Sequence, residues 1–273
     1  MRRIIVLNQK GGVGKTTTVA NLGACLAELG KRVLMVDVDP QANLSIHYGV
    51  ELQRGEPSLY SFIRGDHEAP EVIRDTPVEG LSLVPASIDL AGLSVELSER
   101  PDRLMVLREA LARLPDGLDY VLMDSPPSLG LLTVNAMSAA REVFIPLQTE
   151  FFALQGVSKL LHTVALVRNH VNRELYITGV IACMFDSRTC LAQEILDDIR
   201  SHFGPRVFRT VIRKNIRLAE APGFGVPITR YDPQCHGADD YRALAGEVLA
   251  MERASAEPLV RERPAVLPQT RAG

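Results

Sequence analysis

Short apolar runs alternate along the chain with longer segments in which apolar residues recur at helical spacing. The apolar runs predict six strands, at residues 3–8, 31–37, 81–85, 120–123, 142–146 and 176–182. The amphipathic segments predict helices at residues 16–29, 104–114, 153–171, 191–203 and 238–251. Continuous apolar strands that alternate with helices are typical of a doubly wound α/β domain with a mainly parallel sheet flanked by helices.

The pattern predicts one domain over residues 1–251, with no internal repeat and no linker. The last 22 residues differ, because residues 252–273 carry Pro258, Pro264 and Pro268 among charges and alanines with no apolar period. This composition predicts a disordered tail, and a short partner-binding peptide is the alternative.

Composition limits the classes of function that fit the chain. The 273 residues carry a formal net charge of −3, which argues against a protein that coats DNA with its whole surface but allows a local basic patch. The four cysteines form no C-x-x-C pair, and no apolar run is long enough to cross a bilayer. These features predict a cytoplasmic protein with reduced thiols that does not act on membranes.

A glycine-rich segment lies directly between the first predicted strand and the first predicted helix. Here the backbone can turn its N–H groups inward, and the helix N-terminus adds its dipole, which together favour a phosphate ligand. The segment consists of Lys10, Gly11, Gly12, Val13, Gly14, Lys15, Thr16 and Thr17. We expect Lys15 to reach the β- and γ-phosphates of a nucleotide and the Thr16 hydroxyl to ligate Mg²⁺.

Three aspartates lie at or just after the carboxyl ends of predicted strands. Asp37 and Asp39 close the second strand, and Asp124 follows the apolar run Tyr-Val-Leu-Met. Ligands bind at the carboxyl ends of parallel strands, where a carboxylate near a phosphate implies Mg²⁺ between the two or a role in orienting the attacking water. Turn formation is the alternative for each aspartate alone.

The C-terminal third contains a basic run. No acidic residue occurs from Ile199 to Ala219, whereas six basic residues fall inside this stretch: Arg200, Arg206, Arg209, Arg213, Lys214 and Arg217. Such a run can neutralise phosphates without reading bases. A solvated basic surface is the alternative interpretation.

The phosphate loop departs from the ordinary pattern because Gln9 stands at the position of its first glycine and Lys10 adds a second lysine. In this respect the segment resembles the deviant Walker A loop of the ParA, MinD and nitrogenase-iron-protein group. The resemblance implies a P-loop ATPase that uses ATP and Mg²⁺, with Lys10 reaching across a homodimer to the partner's nucleotide. It also implies that Gly12 allows close approach of the two subunits.

The same resemblance assigns roles to individual residues. Lys10, Lys15 and Asp39 would be catalytic, with Asp39 positioning the attacking water. Asp37 would organise the metal shell with Thr16 and Asp124, and Asn135 would lie near the nucleotide, although a helical Asn can also be solvent-exposed.

The C-terminal half resembles the chromosomal ParA/Soj branch. The matching segments are M-F-D-S-R-T at 184–189, R-T-V-I-R-K-N-I-R-L-A-E-A-P at 209–222, Y-D-P at 231–233 and Y-R-A-L-A at 241–245. The resemblance implies that Arg188 and Arg217 bind DNA, that Lys214 retains the charge of a family arginine, and that Arg213 adds charge where the family has Pro. Residues 234–236 replace a more basic stretch, so DNA contacts there are in doubt.

The implied function is an ATPase that dimerises on ATP, binds double-stranded DNA non-specifically, associates with the nucleoid and segregates a chromosome or plasmid with a ParB-like activator. One alternative is a ParA-like ATPase that positions a chemotaxis cluster or a microcompartment. A second is a MinD-like membrane switch, and a third is an ATP-gated DNA-binding scaffold with negligible turnover. A redox role like that of the nitrogenase iron protein is excluded because no cysteine lies near Asp124.

Overall fold

A single sheet organises the chain. Within residues 1–150, 153–154 and 156–254, which are those that the computed structural model describes, eight strands form this sheet in the order β3-β4-β2-β5-β1-β6-β7-β8. Only the β3–β4 pair is antiparallel in that part of the chain. The strands are β1 (Arg2–Val6), β2 (Val33–Asp37), β3 (Arg74–Asp75), β4 (Leu81–Val84), β5 (Tyr120–Asp124), β6 (Glu142–Gln148), β7 (Tyr176–Phe185) and β8 (Val207–Arg213).

Helices connect the strands and cover both faces of the sheet. They are α1 (Lys15–Glu28), α2 (Asn43–His47), α3 (Leu59–Arg64), α4 (Ala69–Val72), α5 (Leu90–Glu96), α6 (Val106–Ala110), α7 (Leu131–Ala139), α8 (Val157–His170), α9 (Cys190–Phe203), α10 (Arg217–Glu220), α11 (Ile228–Tyr231) and α12 (His236–Ala254). Two apolar cores result, one on each face. The predicted doubly wound α/β class is therefore confirmed.

All six predicted strands are present, but β3 and β8 were not predicted. The helix predicted at 104–114 is shorter, because α6 begins at Val106 and continues as a 3₁₀ turn at Leu111–Arg113. Helix α12 continues to Ala254, past the predicted domain end at 251, and Glu252 in its last turn pairs with Lys31 at 3.2 Å. Residues 255–273, where most of the predicted disordered tail falls, lie outside the described residues.

The edge strand β8 is irregular, and α12 packs against it. Between Val207 and Val211 the register with β7 shifts, which marks a β-bulge. The Glu247 carboxylate on α12 accepts hydrogen bonds from the N–H groups of Arg209 and Thr210, at 2.9 and 2.7 Å. An acidic side chain of α12 thus satisfies backbone donors that the bulge leaves unpaired.

Candidate nucleotide site and basic surface

The phosphate loop lies between the carboxyl end of β1 and the N-terminus of α1. Gly12 and Gly14 have φ values of 71° and 93°, a left-handed conformation that side chains with a Cβ rarely adopt. Gly14 is also the N-cap of α1. The two glycines let the loop wrap an anion in front of the helix N-terminus, as the sequence predicts.

Neighbouring side chains hold the start of this loop. Asn8 donates from Nδ2 to the Pro146 carbonyl at 2.7 Å, and its Oδ1 accepts from the Lys10 N–H at 3.0 Å. Val13 is buried and anchors the middle of the loop, while the Thr17 carbonyl accepts from Asn21. A Cβ atom at Gly11 would have no neighbour within 4 Å. The loop is therefore fixed to the sheet at one end and to α1 at the other.

Lys15 is buried inside the loop, with its Nζ 3.3 Å from the Lys10 carbonyl oxygen. Burial lowers the pKa of the Lys15 ammonium, and the nearby carboxylates of Asp124 and Asp39 oppose that shift. An ammonium group that is only partly solvated gains electrostatic energy from a phosphate ligand.

Thr16 and Asp124 form the most direct contact of the site. The Thr16 hydroxyl donates to Asp124 Oδ2 at 2.6 Å, whereas the fully buried Asp124 Oδ1 has no hydrogen-bond partner. Burial, followed by the charge of Asp37, raises the pKa of Asp124 well above its ordinary range. A buried carboxylate oxygen without a donor, next to a hydroxyl, fits a Mg²⁺ ion and its water shell.

Asp37 and Asp124 are paired across β2 and β5, so the two carboxylates meet at the carboxyl edge of the sheet. Asp37 accepts from the Ser45 N–H at 2.9 Å, from the Ser45 hydroxyl at 2.7 Å and from the Asp39 N–H at 3.2 Å. Burial nevertheless raises its pKa. In this structure Asp37 therefore anchors the segment from Asp39 to Ser45, and its predicted place in the metal shell stays a prediction.

Asp39 lies beyond the strand on that anchored segment and is 7% exposed. Its Oδ1 accepts from the Gln41 N–H at 3.0 Å. The segment turns at Ala42, which has a φ of 54°, unusual for a residue with a side chain. Asp39 is thus held by backbone contacts beside Asp37, at the edge where the phosphate loop lies.

The Lys10 ammonium contacts side chains at and just after the end of β6. Its Nζ donates to Gln148 Oε1 at 2.5 Å and lies 3.4 Å from Glu150 Oε2, and the side chain is 48% exposed. Gln148 also donates from Nε2 to the Gly12 carbonyl at 3.1 Å. Sequence reasoning missed Gln148, although its place at the end of a strand beside β1 was a usable signal.

Asn135 is buried, so the alternative of a solvent-exposed helical Asn is wrong. Its Oδ1 accepts from the Leu107 N–H at 3.2 Å, and its Nδ2 donates to the carbonyls of Arg103 and Leu131 at 2.7 and 3.0 Å. These contacts join α7 to the start of α6. Proximity of Asn135 to the nucleotide stays a prediction.

Three of the four predicted DNA-binding residues have exposed side chains. Arg188 is 83% exposed and pairs with Asp186 at 2.7 Å, and Arg217 is 50% exposed and pairs with Glu220 at 2.9 Å. Lys214 is exposed, and its N–H donates to the Phe185 carbonyl, which brings it beside the Asp186 turn. Exposed ion pairs of this kind are weak, so phosphate oxygens can replace the carboxylates.

Arg213 is held differently from these three residues, and its predicted DNA contact stays a prediction. Its guanidinium donates to both carboxylate oxygens of Asp240, and the Asp240 side chain is only 8% exposed. The Arg213 N–H also donates to Asp240 at 2.9 Å. Because its charge is already paired with a buried carboxylate, Arg213 joins β8 to α12 and has little charge to offer a ligand.

Helix α12 packs against α1 and β8, and its residues Ala238, Tyr241, Leu244, Ala245 and Val248 are buried. The prediction of a core-packing helix at 238–251 is therefore confirmed, and this apolar face is not free to bind a membrane. None of the helices among the described residues has the length and apolar character that a membrane span requires.

Known proteins are similar to this chain in sequence and in fold. A family model described as an AAA domain matches residues 1–177. The chromosome-partitioning ATPase Soj of Treponema pallidum is 48% identical over 251 residues, which cover 92% of this chain and 98% of the relative. The chain belongs to the Soj/ParA family of partitioning ATPases. The Soj protein of Thermus thermophilus is 49% identical over 250 residues, or 92% of this chain and 96% of the relative.

A solved structure with a bound nucleotide shares the fold of this chain. The crystal structure of a protein named cobyrinic acid a,c-diamide synthase, from Mycobacterium smegmatis with ADP and magnesium, has a TM-score of 0.82 and 36% identity. The match covers 98% of this chain and all of the other. The Soj/ParA chain is thus an ATPase whose cofactors are ATP and Mg²⁺, as the loop and the unpaired Asp124 oxygen independently suggest.

Proposed function

We propose that this partitioning ATPase dimerises when it binds ATP, grips double-stranded DNA without sequence preference, and releases it after a ParB-like partner stimulates hydrolysis. The orientation of Lys10 is the observation that supports this proposal most. The ammonium of this lysine contacts Gln148 and the exposed Glu150, whereas the buried Lys15 ammonium lies against the backbone of the loop itself. Lys15 would therefore serve the loop's own nucleotide, and Lys10 would reach a nucleotide held by a second copy.

The nucleotide site divides the remaining work among few residues. Lys15 and the loop N–H groups would hold the phosphates, and Thr16 and Asp124 would hold Mg²⁺, which neutralises phosphate charge. Asp39, held by the Gln41 N–H, would orient the attacking water. The Asp37–Ser45 contacts would keep this segment in register with the metal site.

DNA binding is proposed for the surface formed by Arg188, Lys214 and Arg217. Two of these residues follow the carboxyl ends of β7 and β8, the same edge of the sheet that carries the phosphate loop. Two copies that meet at this edge would sum their basic surfaces. An acidic monomer would then bind phosphates only as an ATP dimer.

The test is binding to a random duplex with ATP, ADP or no nucleotide, at two salt concentrations. We expect binding only with ATP, and weaker binding at the higher salt. Arg217→Glu should remove DNA binding but keep the ATP dimer, whereas Lys10→Ala should remove both. An Arg217→Glu protein that binds the duplex as tightly as the native protein would contradict the proposed surface. A Lys10→Ala protein that still dimerises would contradict the proposed role of Lys10.

A further inference from the structure

A cavity of about 280 Å³ lies at the amino ends of β1, β6 and β7, opposite the edge that carries the phosphate loop. Three arginines from different elements line it: Arg3 from β1, Arg108 from α6 and Arg141 from the residue before β6. The nucleotide cycle proposed above uses none of them. Three guanidinium groups around one small cavity repel one another unless an anion lies between them.

Arg3 is the least solvated of the three. Its side chain is partly buried, and the hydrogen bond from its Nη2 to the Leu111 carbonyl is long, at 3.3 Å. Burial lowers the pKa of the Arg3 guanidinium, and the charges of Arg141 and Arg108 lower it further. Within residues 1–150, 153–154 and 156–254, Arg3 has no carboxylate partner. Its charge is therefore partly desolvated and has no carboxylate beside it, a state that an anionic ligand would stabilise.

Arg108 and Arg141 can bind a ligand at little cost in lost interactions. Arg108 is exposed on α6 and has no ion pair in the described part of the chain. Arg141 pairs with Glu174 at 3.0 Å, but their side chains are 65% and 64% exposed, so the pair contributes little and can rearrange. Three arginines and a single carboxylate, that of Glu174, are therefore among the side chains that line the cavity.

The negative end of α7 also borders the cavity, and Asn172 shields it. The Asn172 Nδ2 donates to the carbonyls of Met137, Ser138 and Ala140, at 2.9, 3.1 and 2.6 Å. Carbonyls at a helix C-terminus would otherwise repel an anion. Because these carbonyls are capped, the arginines dominate the potential in the cavity.

We propose that this cavity binds a small phosphate-bearing anion. A planar carboxylate is satisfied by one guanidinium fork, whereas a tetrahedral phosphate presents oxygens to donors that converge from three directions. The volume lies just below the range of about 300 to 1,000 Å³ typical of organic ligands, so it suits a phosphate group or a small phosphate ester. The site is separate from the nucleotide site and lies far from the proposed dimer face.

Titration with inorganic phosphate tests this proposal, by calorimetry or by ³¹P line broadening, on protein saturated with ADP and Mg²⁺ so that the phosphate loop is filled. We expect one saturable site per chain. Arg108→Glu should weaken phosphate binding at least tenfold, and Arg3→Gln should weaken it similarly. Arg108 is exposed, so its variant tests the site without depending on the partly buried Arg3. Lys159→Glu is the matched control, since it makes the same charge change at an exposed position of α8.

Several outcomes would overturn the proposal. Phosphate binding that survives both arginine variants would belong to a site other than this cavity, and an equal loss in Lys159→Glu would mean a general charge effect. Equal affinity for succinate would make the cavity a carboxylate site. Displacement of phosphate from the native protein by a random duplex would assign the arginines to DNA backbone contacts.

Discussion

Arg213 and Asp240 form a bidentate ion pair that joins the edge strand β8 to α12. The Arg213 side chain is partly exposed, whereas the Asp240 side chain is buried. Asp240 depends on this contact, because removal of one partner would leave a buried carboxylate without its cation. We therefore predict that Arg213→Ala lowers the free energy of unfolding by about 1–3 kcal/mol. Chemical denaturation measures this change.

The same variant separates stability from DNA binding. Since Asp240 already neutralises Arg213, Arg213→Ala should change the affinity of the ATP-bound protein for duplex DNA less than Lys214→Ala does. Arg209→Ala, an exposed arginine on the same strand, is the control for denaturation and should leave stability unchanged. A larger loss of DNA affinity in Arg213→Ala than in Lys214→Ala would restore Arg213 as a DNA ligand.

Removal of the Asp39 carboxylate should block ATP hydrolysis and leave the preceding steps intact. Asp39→Ala is expected to keep ATP binding, ATP-dependent dimers and DNA binding, but to reduce ATP turnover by about 100-fold or more, as loss of a water-orienting group does. Phosphate release and size-exclusion chromatography with ATP measure the two properties. A variant that stays monomeric in ATP would show that Asp39 supports the dimer and not the attacking water.

Replacement of Asp124 by Asn should raise stability and abolish activity. Burial and Asp37 raise its pKa, so its ionised form is unfavourable in the nucleotide-free protein at neutral pH. Asp124→Asn keeps an oxygen for the Thr16 hydroxyl and removes the charge, and we expect it to stabilise the nucleotide-free protein by about 1–2 kcal/mol. Magnesium-dependent ATP hydrolysis should be lost. A destabilised variant would mean that attraction to Lys15 outweighs the cost of burial.

His47 should make the protein sensitive to acid. It is buried, its Nε2 has no hydrogen-bond partner, and burial lowers its pKa from 6.5 to about 4. The unfolded chain therefore binds a proton at a higher pH than the folded chain, so stability is complete above about pH 6.5 and falls as the pH drops towards 4. The loss from this group reaches about 3 kcal/mol.

Denaturation curves between pH 4 and 7.5 check this prediction. His47→Gln cannot take up the proton, so its stability should depend less on pH across that window, even if the variant is less stable at pH 7.5. An acid-sensitivity as steep as that of the native protein would assign the effect to other groups.

The sequence predicts the strands, the phosphate loop and α1 because each has a strong local pattern. It does not predict β8, since Arg209 and Thr210 interrupt the apolar residues of Val207–Arg213 and its arginines merge with the basic run around it. The short helices between β2 and β5 have too few turns for a helical period to emerge. Their positions are set by tertiary packing.

The candidate site shows the same limit. Asp37 and Asp124 can be placed together from the sequence, because parallel strands end at one edge. The hydrogen bonds of Asp37 to Ser45, and of Lys10 to Gln148, depend on how loops fold back across the sheet. A spacing pattern carries no information on such contacts. The sequence therefore does not predict Ser45 and Gln148, which hold Asp37 and Lys10 in place.

The contact between Glu247 and the bulged edge of β8 also limits how copies of this chain can assemble. An open strand edge with free N–H groups is a template for a continuous intermolecular sheet, which is the route to fibres. Here the carboxylates of Glu247 and Asp240 occupy those donors on Arg209, Thr210 and Arg213. Copies of this chain that come close together therefore meet an edge at which these donors are already paired, and this disfavours an irreversible intermolecular sheet along β8.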